Sequence, residues 1–335
     1  MSESPAATLR RLLTGFQLSQ AISVAATLGI ADLVAEGPRS SDELAAATES
    51  HPDALYRLLR ALAAAGVLHE ADDRRFSLTE LGQPLRSNAP DSVRAWAAFT
   101  GRPYYRAAWA HLEHSVRTGE NAFEDVHGVD VWTYRAGRPD ESAAFDAAME
   151  SLTRGTMQAV IEAYDFGRFT TVVDIGGGNG ALLADVLEAN PAVSGVLFDQ
   201  PHVVAAAEAL LTSRGVAERC RIVGGSFFDS VPEGGDAYVL KQIVHDWEDD
   251  DAVTILEVVR RSAPSGAAVL VLERDLGVPN ESLAAKLSDL NMLVMPGGRE
   301  RTTDEYAALF EAAGLAYARA IPSAAGLSVY EANVR

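Results

Sequence analysis

The sequence predicts an α/β protein in two parts: a small α-helical domain ending in a hairpin, then a doubly wound domain on a mostly parallel sheet. Three observations carry this. Residues 1–90 hold three short runs with helical apolar spacing and then two extended runs. From Thr171 onward, short apolar runs alternate with helical patterns, the texture of a parallel sheet covered on both faces. The first of those runs leads straight into Gly176-Gly177-Gly178. A length of 335 residues suits about two domains, and 48% hydrophobic against 22% charged residues excludes wholesale disorder.

In GFQLSQAISVAATLGIADLVAEG the apolar positions recur at helical spacing, and Gly37-Pro38 supplies a stop. Ser41 is the expected cap of the next helix, SSDELAAAT. Leu44 then faces the core, and Asp42 and Glu43 occupy the first turn, where the helix dipole favours carboxylates. The third helix, PDALYRLLRALAAAGVL, starts at a proline and ends near Gly66. Extended runs VLHEA and RRFSLTE follow, joined by a turn at Asp72-Asp73. Three short helices and a hairpin make the pattern of a winged helix.

Charge decides what that pattern serves. In residues 1–90 eight arginines face eleven carboxylates, and the third helix opens with His51-Pro52-Asp53-Ala54 rather than with groove-reading Lys and Arg. The whole chain carries 28 Lys+Arg against 47 Asp+Glu, a formal charge of -19 that repels phosphates and anionic lipid. Nucleic acid and membrane are not expected as partners, and a winged-helix transcriptional regulator is disfavoured. Cys220 stands alone, and no CxxC or Cys/His cluster offers a zinc or iron-sulfur site. With no leader-like start and no run of ~18 apolar residues, the expected location is the cytoplasm.

Residues 91–165 read as helical and include the aromatic-rich RAWAAFTGRPYYRAAW. In ESAAFDAAMESLTRGTMQAVIEAYDF the spacing sets Phe145, Met149 and Leu152 near one face, which suits a core stripe or a pocket wall. The α/β texture then supplies TVVDIG, SGVLFD, RIVGG, DAYVLK and AAVLVLE as strands. The expected division is 1–100 for a winged-helix-like domain, 101–165 for a helical linker and 166–335 for the α/β domain.

Val172-Val173-Asp174-Ile175-Gly176-Gly177-Gly178-Asn179-Gly180 runs from a strand into glycines and on to the helix ALLADVLEA. Glycines allow a tight turn and let a ligand lie against bare backbone, and the helix N-terminus can meet an anion. No Lys-Ser/Thr pair follows, which excludes a P-loop. Asp174 would repel a pyrophosphate and suits a cationic ligand. Together with the missing third glycine of GxGxxG spacing, it disfavours a nicotinamide oxidoreductase. Nineteen residues after Gly180, Asp199 ends a second apolar run, where a carboxylate can accept from both hydroxyls of a ribose. Glycine loop and ribose acid together point to an adenosine cofactor.

His245 lies past the carboxyl end of the fourth strand in Tyr238-Val239-Leu240-Lys241-Gln242-Ile243-Val244-His245-Asp246-Trp247, where ligands of open α/β sheets bind. Asp246 reads as the cap of the following helix, DDDAVTILEVV. Glu273, ending the next strand, and Glu300, in PGGRERT, return to the same edge. A histidine flanked by carboxylates is held in one tautomer and is stabilised when it takes a proton.

From about Phe16 to the C-terminus the chain resembles the two-domain S-adenosylmethionine-dependent O-methyltransferases related to plant caffeic acid methyltransferases and bacterial antibiotic O-methyltransferases. The motifs VDIGGGNG, FDQPHVV, GGSFFDSVP, LKQIVHDWEDDD and PGGRERT, in that order, carry the resemblance. It implies an N-terminal winged-helix domain used for homodimerisation and a Rossmann-like class I methyltransferase domain. S-adenosylmethionine is the implied cofactor, leaving as S-adenosylhomocysteine, with no metal. The implied substrate is a small hydroxylated aromatic or polyketide-like molecule of secondary metabolism. Asp174 and Gly178 would belong to the cofactor loop, with Gly176 at the methionine end, Asp199 on the ribose, Ser226 and Phe227 at the adenine, and Lys241 touching the cofactor again. His245 would be the general base between Glu273 and Glu300, and Met149, Asn291, Met292 and Met295 would line the substrate pocket, Met149 from the helical linker. The chain departs from the family at Ser226, where an acidic residue is usual, although a hydroxyl can still accept from the adenine amine. The alternative is a relative that binds the same cofactor but hydroxylates, or methylates nitrogen or carbon. The intact His245 argues against a non-methylating version.

Overall fold

The computed structural model describes residues 4–154, 156–205 and 207–335. These form two compact units: one runs up to Ala107 and includes Arg138–Leu152, and the other comprises Ala108–Gly137 and the chain from Thr153 to Arg335. Segment 101–165 is thus shared between the units.

In the first unit, helices Gly15–Thr27, Ile30–Leu33, Ser41–Ala47 and Pro52–Ala64 pack with three short antiparallel strands. These are β1 (Arg39–Ser40), β2 (Leu68–Ala71) and β3 (Arg75–Leu78), in the order β1-β3-β2. Ile30, Leu44, Leu59, Leu62 and Phe76 fill the core. The helix beginning at Ser41 is capped by Ser40 and not by Ser41, which is buried. Ser40 Oγ accepts from the Glu43 N–H at 3.2 Å while Glu43 accepts from the Ser40 N–H at 2.6 Å. Such a reciprocal box needs the cap three residues before the glutamate, and the first serine of the pair is the one that meets that spacing. The turn between β2 and β3 uses left-handed backbone at Asp73 and Arg74. Helix Pro139–Arg154 sets Phe145 against Phe99, ring centroids 5.7 Å apart, so part of its apolar face is core packing.

The second unit is built on seven strands: β4 (Thr171–Ile175), β5 (Ser194–Asp199), β6 (Cys220–Gly224), β7 (Ala237–Lys241), β8 (Ala268–Arg274), β9 (Leu315–Pro322) and β10 (Leu327–Val334). Their order is β6-β5-β4-β7-β8-β10-β9, parallel from β6 to β8 and antiparallel for the last two. Alternation along a strand sends neighbours to opposite faces. Val173 and Ile175 of β4 accordingly join one core with Tyr238, Leu240 and Phe310, while Val172 joins the other with Leu183, Leu197 and Val239. The β9–β10 hairpin escapes a search for apolar runs because Ser328, Glu331 and Asn333 interrupt β10. Glu331 is nonetheless buried, its charge paired with Arg168 and Arg319. Connections leave β4 toward β5 on one side and return to β7 on the other, so a crevice opens beyond their carboxyl ends. Among the described residues no helix is long and apolar enough to cross a membrane.

Candidate active site

At that crevice the chain turns from β4 through Gly176, Gly178 and Gly180, all in left-handed backbone. A Cβ on Gly176 would lie 2.4 Å from Ile243 Cδ1, and one on Gly177 would lie 2.4 Å from Asp174 Oδ2. At Gly178 the same position faces open space. Glycine therefore serves close packing on the inner side of the loop and leaves bare backbone on the outer side. Asp199, at the end of β5, accepts from the Gly178 N–H at 2.9 Å and the Gln200 N–H at 2.6 Å, one on each carboxylate oxygen. Burial pushes its carboxyl up, against those two bonds.

Asp174 is buried, and its Oδ2 has no hydrogen-bond partner among the described residues. Burial pushes its carboxyl up to about 7, with Asp199 adding to the rise and Lys241 opposing it. Burial likewise pulls Lys241 down to about 8, against Asp174 and Glu273. The Lys241 ammonium donates to Gln242 Oε1 at 2.9 Å. Phe227 reaches the glycine loop, its Cε1 3.8 Å from the Cβ position of Gly176. Ser226 Oγ accepts from the Phe228 N–H at 3.3 Å and so closes its own turn. The structure therefore gathers Asp174, Gly176, Gly178, Asp199, Phe227 and Lys241 around one loop.

His245 sits in a single helical turn, Val244–Asp246, just past β7. It is 6% exposed, with Glu273 at 0% and Glu300 at 2%. Its Nδ1 faces Glu300 Oε1 at 3.0 Å and Glu273 Oε2 at 3.3 Å, and its backbone N–H donates to Glu273 Oε1 at 3.2 Å. Asp246 Oδ1 stands 3.5 Å from Nε2. Burial opposes a charged ring, but Glu273, Glu300 and Asp246 outweigh it and raise His245 to about 10. Glu273 is pushed up to about 7 by burial, against the pull of His245. Burial also works against the charge of Glu300, yet His245 and the hydrogen bonds from His245 and Ser288 hold its carboxyl below the ordinary value. The donor atoms of His245, Glu273 and Glu300 lie within 4.8 Å of one another. With Nδ1 in hydrogen-bond reach of Glu300 Oε1, the three groups are close enough to share a proton.

Four residues support this cluster: Ser288 had no signal in the sequence, while Gly298, Arg299 and Arg301 were seen only as parts of PGGRERT, with no role attached. Arg301, fully buried, donates to the carbonyls of Val244 at 3.1 Å and Trp247 at 2.8 Å and to Asp249 Oδ1, stapling the histidine turn from below. The Arg299 N–H donates to the His245 carbonyl at 2.9 Å, and Gly298 packs so closely that a Cβ there would lie 2.2 Å from the same oxygen. Ser288 Oγ donates to Glu300 Oε1 at 2.6 Å. Asp246, expected as a cap, does not cap. Glu248 holds that position for helix Asp249–Ser262, because the turn after His245 swings Asp246 inward, where burial pushes it up to about 6 against His245 and Arg135.

Helix Leu283–Val294 and its C-terminal neighbour carry Asn291, Met292 and Met295. Trp109 Nε1 donates to Asn291 Oδ1 at 3.1 Å, Asn121 donates to the Met295 carbonyl at 2.8 Å, and both methionines are buried. Met149 lies half-buried on helix Pro139–Arg154 of the first unit. His51, which shows no sign of chemistry, caps helix Pro52–Ala64.

A family described as an O-methyltransferase domain matches residues 109–316, and one described as an O-methyltransferase dimerisation domain matches residues 10–87. Phenazine O-methyltransferase of Lysobacter antibioticus is 44% identical over 325 residues, 97% of this chain and 95% of that one. The 8-amino-8-demethylriboflavin N,N-dimethyltransferase of Streptomyces davaonensis is 42% identical over 295 residues, 86% of this chain and 84% of the other. A solved O-methyltransferase from neocarzinostatin biosynthesis, in complex with S-adenosylmethionine and 2-hydroxy-5-methyl naphthoic acid, has a TM-score of 0.83 at 36% identity, covering 95% of this chain and 96% of that one. With the glycine loop, the histidine cluster and both matched domains in one chain, this protein belongs to the O-methyltransferases that join a dimerisation domain to a methyltransferase domain.

Proposed function

We propose that this chain transfers the methyl group of S-adenosylmethionine to a hydroxyl of a small aromatic or polyketide-like molecule, with His245 as the general base. The observation that carries the reading is the buried ring with Nδ1 committed to Glu300 and Nε2 on the opposite side, 3.5 Å from Asp246 Oδ1. The residues of the glycine loop fit the cofactor. Gly178 offers open backbone, Asp199 is oriented by two main-chain donors with lone pairs left for ribose hydroxyls, and the partnerless oxygen of Asp174 favours positive charge nearby. When bound, S-adenosylmethionine supplies a methyl group on a positively charged sulfur.

The chain's own work is to place a hydroxyl and take its proton. Glu300 on Nδ1 selects the tautomer that leaves Nε2 as the working nitrogen. The carboxylates around the ring raise its proton affinity above that of a free imidazole and so toward that of a phenol, pKa ~10, which eases the proton transfer between them. His245 must first give up its own proton, and a cationic cosubstrate in this acidic region favours that loss. Nothing in this scheme calls for a metal. The aromatic substrate class draws support from the solved relative bound to a naphthoic acid. Homodimerisation through residues 1 to about 100, with Ile22, Val24 and Leu28 near the interface, draws support from the matched dimerisation domain and from Leu9, Leu12 and Leu13 on helix Pro5–Leu13 and Phe16 on helix Gly15–Thr27, all exposed.

His245→Ala tests the base. Turnover should fall by ~100-fold or more with cofactor affinity nearly unchanged, and raising the pH should partly restore it, more strongly for more acidic phenols. A variant that keeps most of its turnover at neutral pH with a poorly acidic phenol would refute the assignment. Methylation at nitrogen is the second reading, favoured by the 42% identical dimethyltransferase. Mass spectrometry of products from matched phenol and aniline substrates separates the two.

A further inference from the structure

Two consecutive residues of helix Leu283–Val294 hold the same glutamate. Ser288 Oγ donates at 2.6 Å to Glu300 Oε1, the oxygen that faces His245 Nδ1 at 3.0 Å. Asp289 Oδ1 accepts from the Glu300 backbone N–H at 3.0 Å. One turn further on, the same helix presents Asn291, held by Trp109. The face that reaches toward the expected substrate residues therefore also grips the carboxylate behind the base.

We propose that Ser288 is a positioning residue for the transfer: by donating to Glu300 it keeps that carboxylate ionised and turned toward His245, and so sets how strongly the base holds a proton. This rests on the reading of His245 as the base. The physical argument begins with crowding. Around the imidazole stand Glu273 from β8, Asp246 from its own turn and Glu300 from the loop before Arg301. Asp289 lies behind Glu300, Arg135 acts on Asp246, Lys241 acts on Glu273 from the end of β7, Arg274 acts on Glu300 from the end of β8, and Tyr306 lies close to both glutamates. Carboxylates packed this closely compete to be the one that takes up a proton. A short hydroxyl bond to a charged oxygen is among the stronger hydrogen bonds and favours the ionised form. With Ser288 donating, Glu300 stays negative and the proton stays on His245. Without that bond Glu300 becomes the easier site, and the ring becomes a weaker base. Alanine would leave the helix intact and remove only the donor, whereas threonine keeps it.

Protein labelled with 15N-histidine provides the test, the His245 signal being assigned by its loss in His245→Gln. In Ser288→Ala the imidazole midpoint should fall by about one pKa unit, the scale of one hydrogen bond to a charged group. The acid limb of the kcat profile should move down by the same amount, the plateau should drop about threefold, and KM for the phenol should hold. Ser288→Thr should restore all of these. If Ser288→Ala fails to fold, Ser288→Cys carries the same comparison with a weaker donor. An unmoved imidazole midpoint overturns the role of Ser288. A moved midpoint with an unmoved rate profile overturns His245 as the base, and with it the part of Ser288 in the transfer.

Discussion

Asp199 and Glu300 are both carboxylates at the carboxyl edge of one sheet, yet main chain holds the first and side chains hold most of the second. The donors on Asp199 are the N–H groups of Gly178 and Gln200, which no substitution other than proline removes. On the Glu300 carboxylate the partners are His245 and Ser288, from two other elements, and each carries a side chain that selection can change. An acid held by backbone is a stable acceptor, suited to holding a ligand. An acid held by side chains changes its charge whenever a partner does, which suits it to handling a proton. On the proposed reading, the first cluster binds and the second does the chemistry, along that same line.

The largest break in this comparison beyond His245 itself should come at Asp199. On the proposed reading, Asp199→Ala removes the charged acceptor of the ribose hydroxyls, so calorimetry should show cofactor binding weakened by ~10- to 100-fold, the worth of hydrogen bonds to a charged group. Turnover at saturating cofactor should change little, and an unaltered affinity would take Asp199 out of the site. Glu273→Gln should act on the other quantity, lowering kcat by about tenfold while leaving cofactor affinity alone. Combined with His245→Ala it should add almost nothing, since both remove the same device. Full additivity would mean that the two act separately. A test through stability, not turnover, sharpens the contrast through pH. Asp174 is raised in the folded chain to about 7, so the native state binds a proton more readily than the unfolded chain, and wild-type stability from this group is lost as pH rises toward 7. Asp174→Asn has no such proton to lose. In urea titrations the variant should therefore gain on the wild type between about pH 4 and 7 and hold level above that, and a pH-independent difference would contradict the burial of that carboxyl.

The glycine cradle was legible because its parts lie within one short window: a strand, three glycines, a helix start and an acid at the next strand end. Local spacing encodes such a site directly. His245, Glu273 and Glu300 were legible one at a time, as polar residues at strand ends or in a glycine-rich loop, and the sheet order explains why they meet. Ser288 was not legible, since a serine in an amphipathic helix resembles a surface residue until the fold closes over it, and Arg301 was legible only as a letter of PGGRERT, its burial under the histidine turn being set by the fold. Asp246 misled because an acid three residues before an acidic helix fits a cap by composition, and only the tight turn at Val244–Asp246 redirects it. Strand β10 hid because a buried ion pair needs a charge in the middle of an apolar run.

The loop behind the histidine has a consequence for how freely this chain can vary. Position 298 touches the His245 carbonyl so closely that any side chain would displace the turn, while position 299 meets that carbonyl with its backbone alone. The Arg299 side chain reaches only the exposed Glu248, a pairing that adds little. Two neighbouring codons thus have opposite latitude. One admits a single residue, and the next admits nearly all but proline, so sequence drift through this loop can alter the surface charge beside the histidine cluster without moving the turn that carries His245.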